Sequence, residues 1–239
     1  MDDWIDYYDS THTIYVSKRH RDAHFITIAN DIIKFIPDSD AVVLDYSCGE
    51  ALFAGDVAAA CGQLLLAEPA PGVRGRLIAR FAPNTKIKIR SLDDLKRQPD
   101  ESVDLAVMIS VTQYMTPADL DNAFGLLHRV LKPGGCLVVG DVLRPNVGAP
   151  TDVLALLRFA GKHGFMKDAM VGLARTALSD YWQLRQRVGL QRYSQADMTK
   201  KLETSGFSAT RAPKNVGHNG ARMTFVARRL SDFRRSREN

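Results

Sequence analysis

The sequence predicts an α/β protein built on a doubly wound parallel sheet. Three observations carry that expectation. Apolar runs rich in Val, Ile and Leu recur as AVVLDY, QLLLAE, KIKIRS, SVDLAVMIS and CLVVGDV. Stretches with helical spacing lie between them, and strands alternating with helices of that length build βαβ units. The first run ends in Asp45 and turns through Ser47, Cys48 and Gly49 into a helix-forming stretch. In a doubly wound sheet that is where a nucleoside-containing ligand sits.

In chain order, residues 1–38 read as a helical cap. Trp4, Tyr7, Tyr8 and Tyr15 come first; Phe25, Ile26, Ile28, Ala29, Ile32 and Ile33 then recur at helical spacing as far as Pro37. Residues 39–142 read as a ligand-binding core. AVVLDY is its first strand, and EALFAGDVAAAC its first helix, closed by Gly62 as the glycine after the helix end. QLLLAE is the second strand, ending at Glu68, and PGVRGRLIARFA a helix that opens on proline. KIKIRS and SVDLAVMIS are the third and fourth strands, PADLDNAFGLLHRVL a helix stopped by KPGG, and CLVVGDV the fifth strand. Residues 143–193 read as extra helices, with Met166, Met170, Leu173, Ala177, Tyr181 and Leu184 in one stripe. Such a stripe reads first as core, though the segment has length to spare for a lid. Residues 194–230 read as a helix capped by Ser194 and ended by Gly206, then a hairpin of FSATRAP and ARMTFVARR around NVGHNG. Residues 231–239 are a basic tail, and nothing in the composition marks a second domain.

Composition narrows the function classes. The 239 residues are 45% hydrophobic and 25% charged, an ordinary globular balance. No apolar run approaches the ~20 residues of a membrane span. The opening MDDWIDYYDS is acidic and lacks the apolar segment of a secretory signal. Three cysteines without a CxxC pair read as free thiols in a reducing cytoplasm. Net charge is +5, of which residues 228–239 carry +3, so the excess reads as a basic tail rather than a nucleic-acid surface.

The loop after the first strand carries the chemistry. A dinucleotide site would show GxGxxG; here the order is Asp45-x-Ser47-x-Gly49-x-Ala51. A carboxylate placed first repels a pyrophosphate and suits a cationic or amine-bearing ligand. Small residues at 47, 49 and 51 let backbone approach that ligand closely. Glu68, at the end of the next strand, is placed to grip ribose hydroxyls. His20 and His24 are four apart but lack any surrounding carboxylate–histidine signature, so no metal site is expected.

The blocks VLDYSCGEA, LLLAEP, SVDLAVMISVTQYM and LKPGGCLVVGDV resemble, in order and spacing, the class I S-adenosylmethionine-dependent methyltransferases, of the methyltransferase type 11/25 kind. The resemblance spans roughly residues 40–142. It implies a Rossmann-like seven-stranded sheet of order 3-2-1-4-5-7-6, the last strand antiparallel. It also implies roles. Asp45, Ser47, Cys48 and Gly49 line the methionine end of the cofactor; Glu68 holds the ribose diol, with Pro69 and Ala70 beside the adenine; Ser91 and Leu92 meet the adenine edge. Ile109 and Ser110 match the stretch beneath the methyl donor, with Gln113 and Tyr114 close behind. By residue type, Tyr15 reads either as a ring face near the sulfonium or as packing for the N-terminal helix. Where relatives carry loop glycines this chain has Ser47 and Ala51, and where many carry an adenine-edge aspartate it has Ser91, with Asp93 nearby.

The implied function is transfer of a methyl group from S-adenosyl-L-methionine, leaving S-adenosyl-L-homocysteine, to oxygen or nitrogen of a small molecule. His20, His24 and Asp141 are candidate bases by residue type, His20 first. SVTQYM after the fourth strand lacks the Pro-Pro-Tyr pattern of base and amide nitrogen methylation. A protein or nucleic-acid methyltransferase, or a binding protein without turnover, are the competing classes.

Overall fold

The computed structural model describes residues 4–5, 9, 15–176 and 189–231. Tyr7 and Tyr8, the stripe residues Ala177, Tyr181 and Leu184, and the tail beyond Ser231 lie outside the described residues. The elements are α1 (Lys18–Ile33), β1 (Val42–Tyr46), α2 (Ala54–Ala59), β2 (Gln63–Ala67), α3 (Pro71–Phe81), β3 (Ile87–Arg90), α4 (Leu92–Lys96) and β4 (Val103–Ile109). A single 3₁₀ turn (Thr112–Tyr114) leads to α5 (Pro117–Val130) and β5 (Leu131–Val142). Then come α6 (Ala149–His163), α7 (Met166–Thr176), α8 (Gln195–Thr204), β6 (Phe207–Arg211) and β7 (Met223–Arg229).

The seven strands form one sheet in the order 3-2-1-4-5-7-6. β1 through β5 pair in parallel, and β7 runs antiparallel to both β5 and β6. The central strands are buried on both faces, so their sequences are continuous apolar runs. Period-two alternation still sorts the side chains. Leu44, Leu65, Ala106 and Met108 face a layer made by α5 and α8, with Phe124, Leu127 and Leu202 packed on them. Val43, Leu64, Leu66, Leu105 and Val107 face the other layer, made by α1, α2 and α3. A smaller cluster of Ala23, Phe159, Ala160, Phe165 and Ala169 fastens α6 and α7 to α1.

Local chemistry sets the helix starts. Ser91, Thr116 and Ser194 each cap a helix whose N3 aspartate bonds back to the cap residue. Pro71 and Pro117 sit at helix starts where a missing N–H costs nothing. Gly206, at φ 92, follows α8 as expected.

Several boundaries differ from expectation. The first helix begins at Ala54 rather than Glu50, because Ala51 at φ 40 keeps the loop out of helical geometry. Gly62 is not the residue after the helix end; Cys61 intervenes. Glycine is needed there for space, since a Cβ would lie 2.5 Å from the Asp40 carbonyl oxygen. KPGG stops α5 but also begins β5, which starts at Leu131 and carries a register shift against β4. Helix α4 was not anticipated, although Ser91 and Asp94 are its capping box. Met166 and Met170 are exposed rather than core. α7 instead buries Ala169 and Gly172, and a Cβ on Gly172 would lie 2.1 Å from Val16 Cγ1.

Gly62→Ala is expected to destabilise the protein by about 1–3 kcal/mol, the usual cost of overpacking. The denaturant midpoint in urea measures this, and a midpoint equal to that of the wild type contradicts the close approach at Asp40.

Candidate active site

The carboxyl ends of β1, β2, β4 and β5 open into a cavity of about 700 Å³. That is a size typical of pockets for ligands of drug or cofactor dimensions. Its floor is Asp45, Ser47, Cys48, Gly49, Glu68 and Pro69 on one side and Ile109, Ser110, Gln113 and Tyr114 on the other. Its far wall comes from α1, α6 and the β6–β7 turn.

Glu68 ties the floor together. Gly49 N–H donates to its Oε2 (2.8 Å) and Ala70 N–H to its Oε1 (2.9 Å). One buried carboxylate thus fixes the loop after β1 against the end of β2, and each oxygen keeps a lone pair for a further donor. Burial raises its pKa, against these two bonds and the charge of Arg74. Asp45 has no such partners among the described residues. Burial first, then the charge of Glu68, lifts its carboxyl to about 7. The Cys48 thiol is pushed up by burial and by both carboxylates, so it is a packing group rather than a nucleophile.

The loop geometry is unusual. Ser47 (φ 59), Ala51 (φ 40), Ser110 (φ 59) and Asp141 (φ 61) are non-glycine residues in the left-handed region at the ends of β1, β4 and β5. Such conformations cost on the order of 1 kcal/mol each and cluster at ligand sites. Asp141 is held by its neighbours: Ser110 Oγ donates to its Oδ2 (2.7 Å), Asn215 Nδ2 to its Oδ1 (3.2 Å), and Arg222 Nη1 to its Oδ2. Arg222 Nη2 also reaches Asp152 Oδ1 on α6 (3.3 Å). Burial opposes the guanidinium charge, and the two carboxylates outweigh it. Asp141, a candidate base by type, is therefore an ion-pair partner.

The cap brings Tyr15, His20 and His24 to the cavity. Tyr15 stands 5.4 Å from His20 and 5.5 Å from His24 between ring centroids, and burial raises its pKa. Val16 N–H donates to Nδ1 of His20 (3.3 Å), and the ring stacks on Phe165 at 5.1 Å. Burial, with His218 opposite, lowers His20 to about 4; burial and the neighbouring histidines lower His24 to about 3. Among the described residues no three His, Cys, Asp or Glu side chains form a metal-binding group.

The structure brings twelve of the expected site residues to one cavity: Tyr15, His20, Asp45, Ser47, Cys48, Gly49, Glu68, Pro69, Ile109, Ser110, Gln113 and Tyr114. Ser91 and Leu92 do not line it. The Ser91 hydroxyl is bonded to Asp94, and Leu92 packs on the core. Asp93 is exposed and pairs with Lys96. Sequence reasoning missed Asp152, His218, Asn219 and Arg222 as lining residues. NVGHNG read only as a turn, and nothing local relates it to strand ends far away in sequence.

Two buried polar atoms on the floor, Ser47 Oγ and Gln113 Oε1, have no hydrogen-bond partner. Together with Asp45, a carboxylate lacking a counter-charge, they fit a ligand bearing an ammonium group and hydrogen-bonding oxygens. S-adenosylmethionine has both.

Comparison with known proteins agrees. A family model described as a methyltransferase domain matches residues 43–135. No curated protein sequence matches the chain. Among solved structures, magnesium protoporphyrin IX methyltransferase from Synechocystis, with bound S-adenosylhomocysteine, is similar at TM-score 0.60 and 15% identity, over 95% of this chain and 93% of that one. A chain of the Haloferax volcanii complex between the Trm112 methyltransferase activator and its candidate methyltransferase gives TM-score 0.62 at 15% identity, over 98% of this chain and 97% of that one. An O-methyltransferase family protein from Burkholderia thailandensis gives TM-score 0.56 at 11% identity, over 87% of this chain and 56% of that one.

Asp45 yields a pH test. Its native carboxyl, raised to about 7, holds its proton between pH 4 and 7, while the unfolded chain, at 3.8, releases it. Stability from this group is thus full below about pH 4 and falls as pH rises to 7. Asp45→Asn removes that loss. Ligand-free Asp45→Asn is expected to melt several degrees above wild type at pH 8, at about 2–4 °C per kcal/mol, and with no advantage at pH 4; thermal melts at both values measure it. The strand order, the acid-first loop closed by Glu68 and the match over residues 43–135 together point to an S-adenosylmethionine-dependent methyltransferase domain within this chain.

Proposed function

We propose that the enzyme methylates oxygen or nitrogen of a small-molecule acceptor. The observation that carries this reading is the continuity of the cavity. It runs from the strand ends to a compartment bounded by α1, α6 and α7, where Phe25, Val153, Leu156 and Leu173 form apolar walls beside Tyr15, His20 and His24. A mostly apolar chamber walled by helices suits a small acceptor better than a polymer.

The cofactor, when bound, supplies a methyl group already activated on a sulfonium sulfur. The chain's own residues have the tasks of binding, alignment and exclusion of water. Asp45 takes the ammonium group, with Ser47, Cys48 and Gly49 around the methionine end. Glu68 accepts from the ribose hydroxyls with the lone pairs its backbone partners leave, and Pro69 borders the adenine. Ile109, Ser110, Gln113 and Tyr114 floor the reacting centre. Tyr15 offers an electron-rich ring face to positive charge. Alignment of acceptor, methyl and sulfur supplies most of the acceleration of such a displacement. The free thiols of Cys48, Cys61 and Cys136 fit a cytoplasmic setting; among the described residues no helix is long and apolar enough to cross a membrane.

Isothermal titration with S-adenosylmethionine, S-adenosylhomocysteine and NAD tests the binding assignment. Micromolar binding of the two sulfur compounds is expected, with no binding of NAD. Asp45→Ala and Glu68→Ala should each weaken that binding by about 1–3 kcal/mol, the cost of losing charge-assisted hydrogen bonds. Unchanged affinity in both variants removes the assignment. For the acceptor, transfer of labelled methyl to small hydroxyl and amine compounds is expected, and transfer only to bulk protein or RNA overturns the small-molecule reading.

A further inference from the structure

The acceptor end of the cavity holds three histidines. His20 and His24 come from α1, and His218 from the turn between β6 and β7. The ring centroids of His218 lie 6.1 Å from His20 and 5.7 Å from His24. The three are not equivalent. The Nδ1 of His20 accepts from Val16 N–H, so the neutral ring carries its proton on Nε2, and the residue lines the cavity. Nδ1 of His24 is buried without a partner. No hydrogen bond from the described residues reaches either ring nitrogen of His218. Its ring lies flat on Phe159, 4.4 Å away at 20°. The turn that carries it is pinned on both sides, by Gly217 N–H donating to Asp31 Oδ2 (2.9 Å) and Asn219 Nδ2 donating to Asp152 Oδ1 (2.8 Å).

Charge separates them further. Burial lowers the His218 pKa, with Arg222 ahead of β7 and His163 on α6 adding to it, while Asp141 at the end of β5 and Asp152 on α6 offset part of that loss. His20 and His24 on α1 feel burial and other cationic or histidine groups, with no carboxylate to help.

We propose that His218 is the catalytic base of this methyltransferase, and that the acceptor atom is a hydroxyl oxygen bridged between His218 and the Nε2–H of His20. The proposal rests on the small-molecule reading above. A hydroxyl has one proton to give His218 and a lone pair to receive from His20, at about 2.8 Å each; an ammonium has only donors and would oppose the His20 N–H. The O–H proton passes to the lone pair of the unprotonated ring nitrogen of His218. The O–H electron pair remains on oxygen, which forms the O–CH₃ bond while the carbon–sulfur pair leaves with sulfur as a neutral thioether. Asp141 and Asp152 offset the imidazolium until its proton is released to water.

Histidine-selective ¹⁵N NMR of the full chain saturated with S-adenosylhomocysteine, followed from pH 4 to 8 and assigned with His20→Asn and His218→Asn, tests this. His218 is expected to titrate at the highest midpoint of the three. His20 is expected to hold the Nε2–H form at neutral pH, and Asp152→Asn should move the His218 midpoint downward. A His20 ring protonated on Nδ1, or a His218 midpoint below those of His20 and His24, overturns the proposal; the wild-type order needs no variant to fold. His218→Asn is expected to keep wild-type affinity for S-adenosylhomocysteine by titration calorimetry. Loss of that affinity in the variant alone would place His218 in the cofactor site and overturn its role as base. Failure of the wild-type chain to bind would overturn the methyltransferase reading itself, and the proposal with it.

Discussion

One buried carboxylate organises the working end of this protein. Glu68 sits at the tip of β2 and accepts from the backbone of Gly49 and of Ala70. The loop after β1 therefore cannot shift relative to the second strand without leaving a buried acid unsatisfied, which costs more than an ordinary hydrogen bond is worth. Everything the loop presents follows from that tie, including Asp45, Ser47 and the backbone at Gly49. The same tie brings two carboxylates together in a poorly solvated place. Glu68 satisfies itself with backbone donors, and Asp45 is left beside it without a counter-charge, its pKa raised by burial and by Glu68.

A second knot closes the other side. Arg222 bridges Asp141 and Asp152, joining the end of β5, helix α6 and the approach to β7. Val216 N–H donates to Thr224 Oγ1, and Thr224 Oγ1 to Asn215 Oδ1, so the turn is stitched to the strand that follows it. This is how the antiparallel end of the sheet, remote from the loop after β1 in sequence, contributes side chains to the same chamber. The chamber is polar where these knots lie and apolar where α6 and α7 cover it.

The sheet was legible because its central strands are buried on both faces and must be continuously apolar; Val42–Tyr46 and Val103–Ile109 could hardly read otherwise. The floor of the site was legible for a related reason, since short-range order (acid, then small residues) is what a close-approaching ligand demands. Boundaries set by backbone strain were not. Nothing marks Ala51 as left-handed, so the helix seemed to begin four residues too early. Ser91 illustrates the opposite limit. Its position matched a binding site, but its hydroxyl is committed to Asp94 three residues on, a local bond that spacing alone does not rank against a distant ligand. Arg222 and His218 were invisible as lining residues because their neighbours in space come from α1, β5 and α6.

The left-handed residues at the strand ends have a consequence for how tightly a ligand is held. Glycine at 47 or 51 would adopt the same backbone without strain, but it would also wander when the cavity is open. Serine and alanine restrict the loop before anything arrives, so less conformational entropy is lost when a ligand settles there. A chain that accepts a little steric strain in these turns draws part of its affinity from rigidity rather than contact. Its association with the cofactor should accordingly carry a smaller entropic penalty than that of a glycine-looped relative making the same hydrogen bonds.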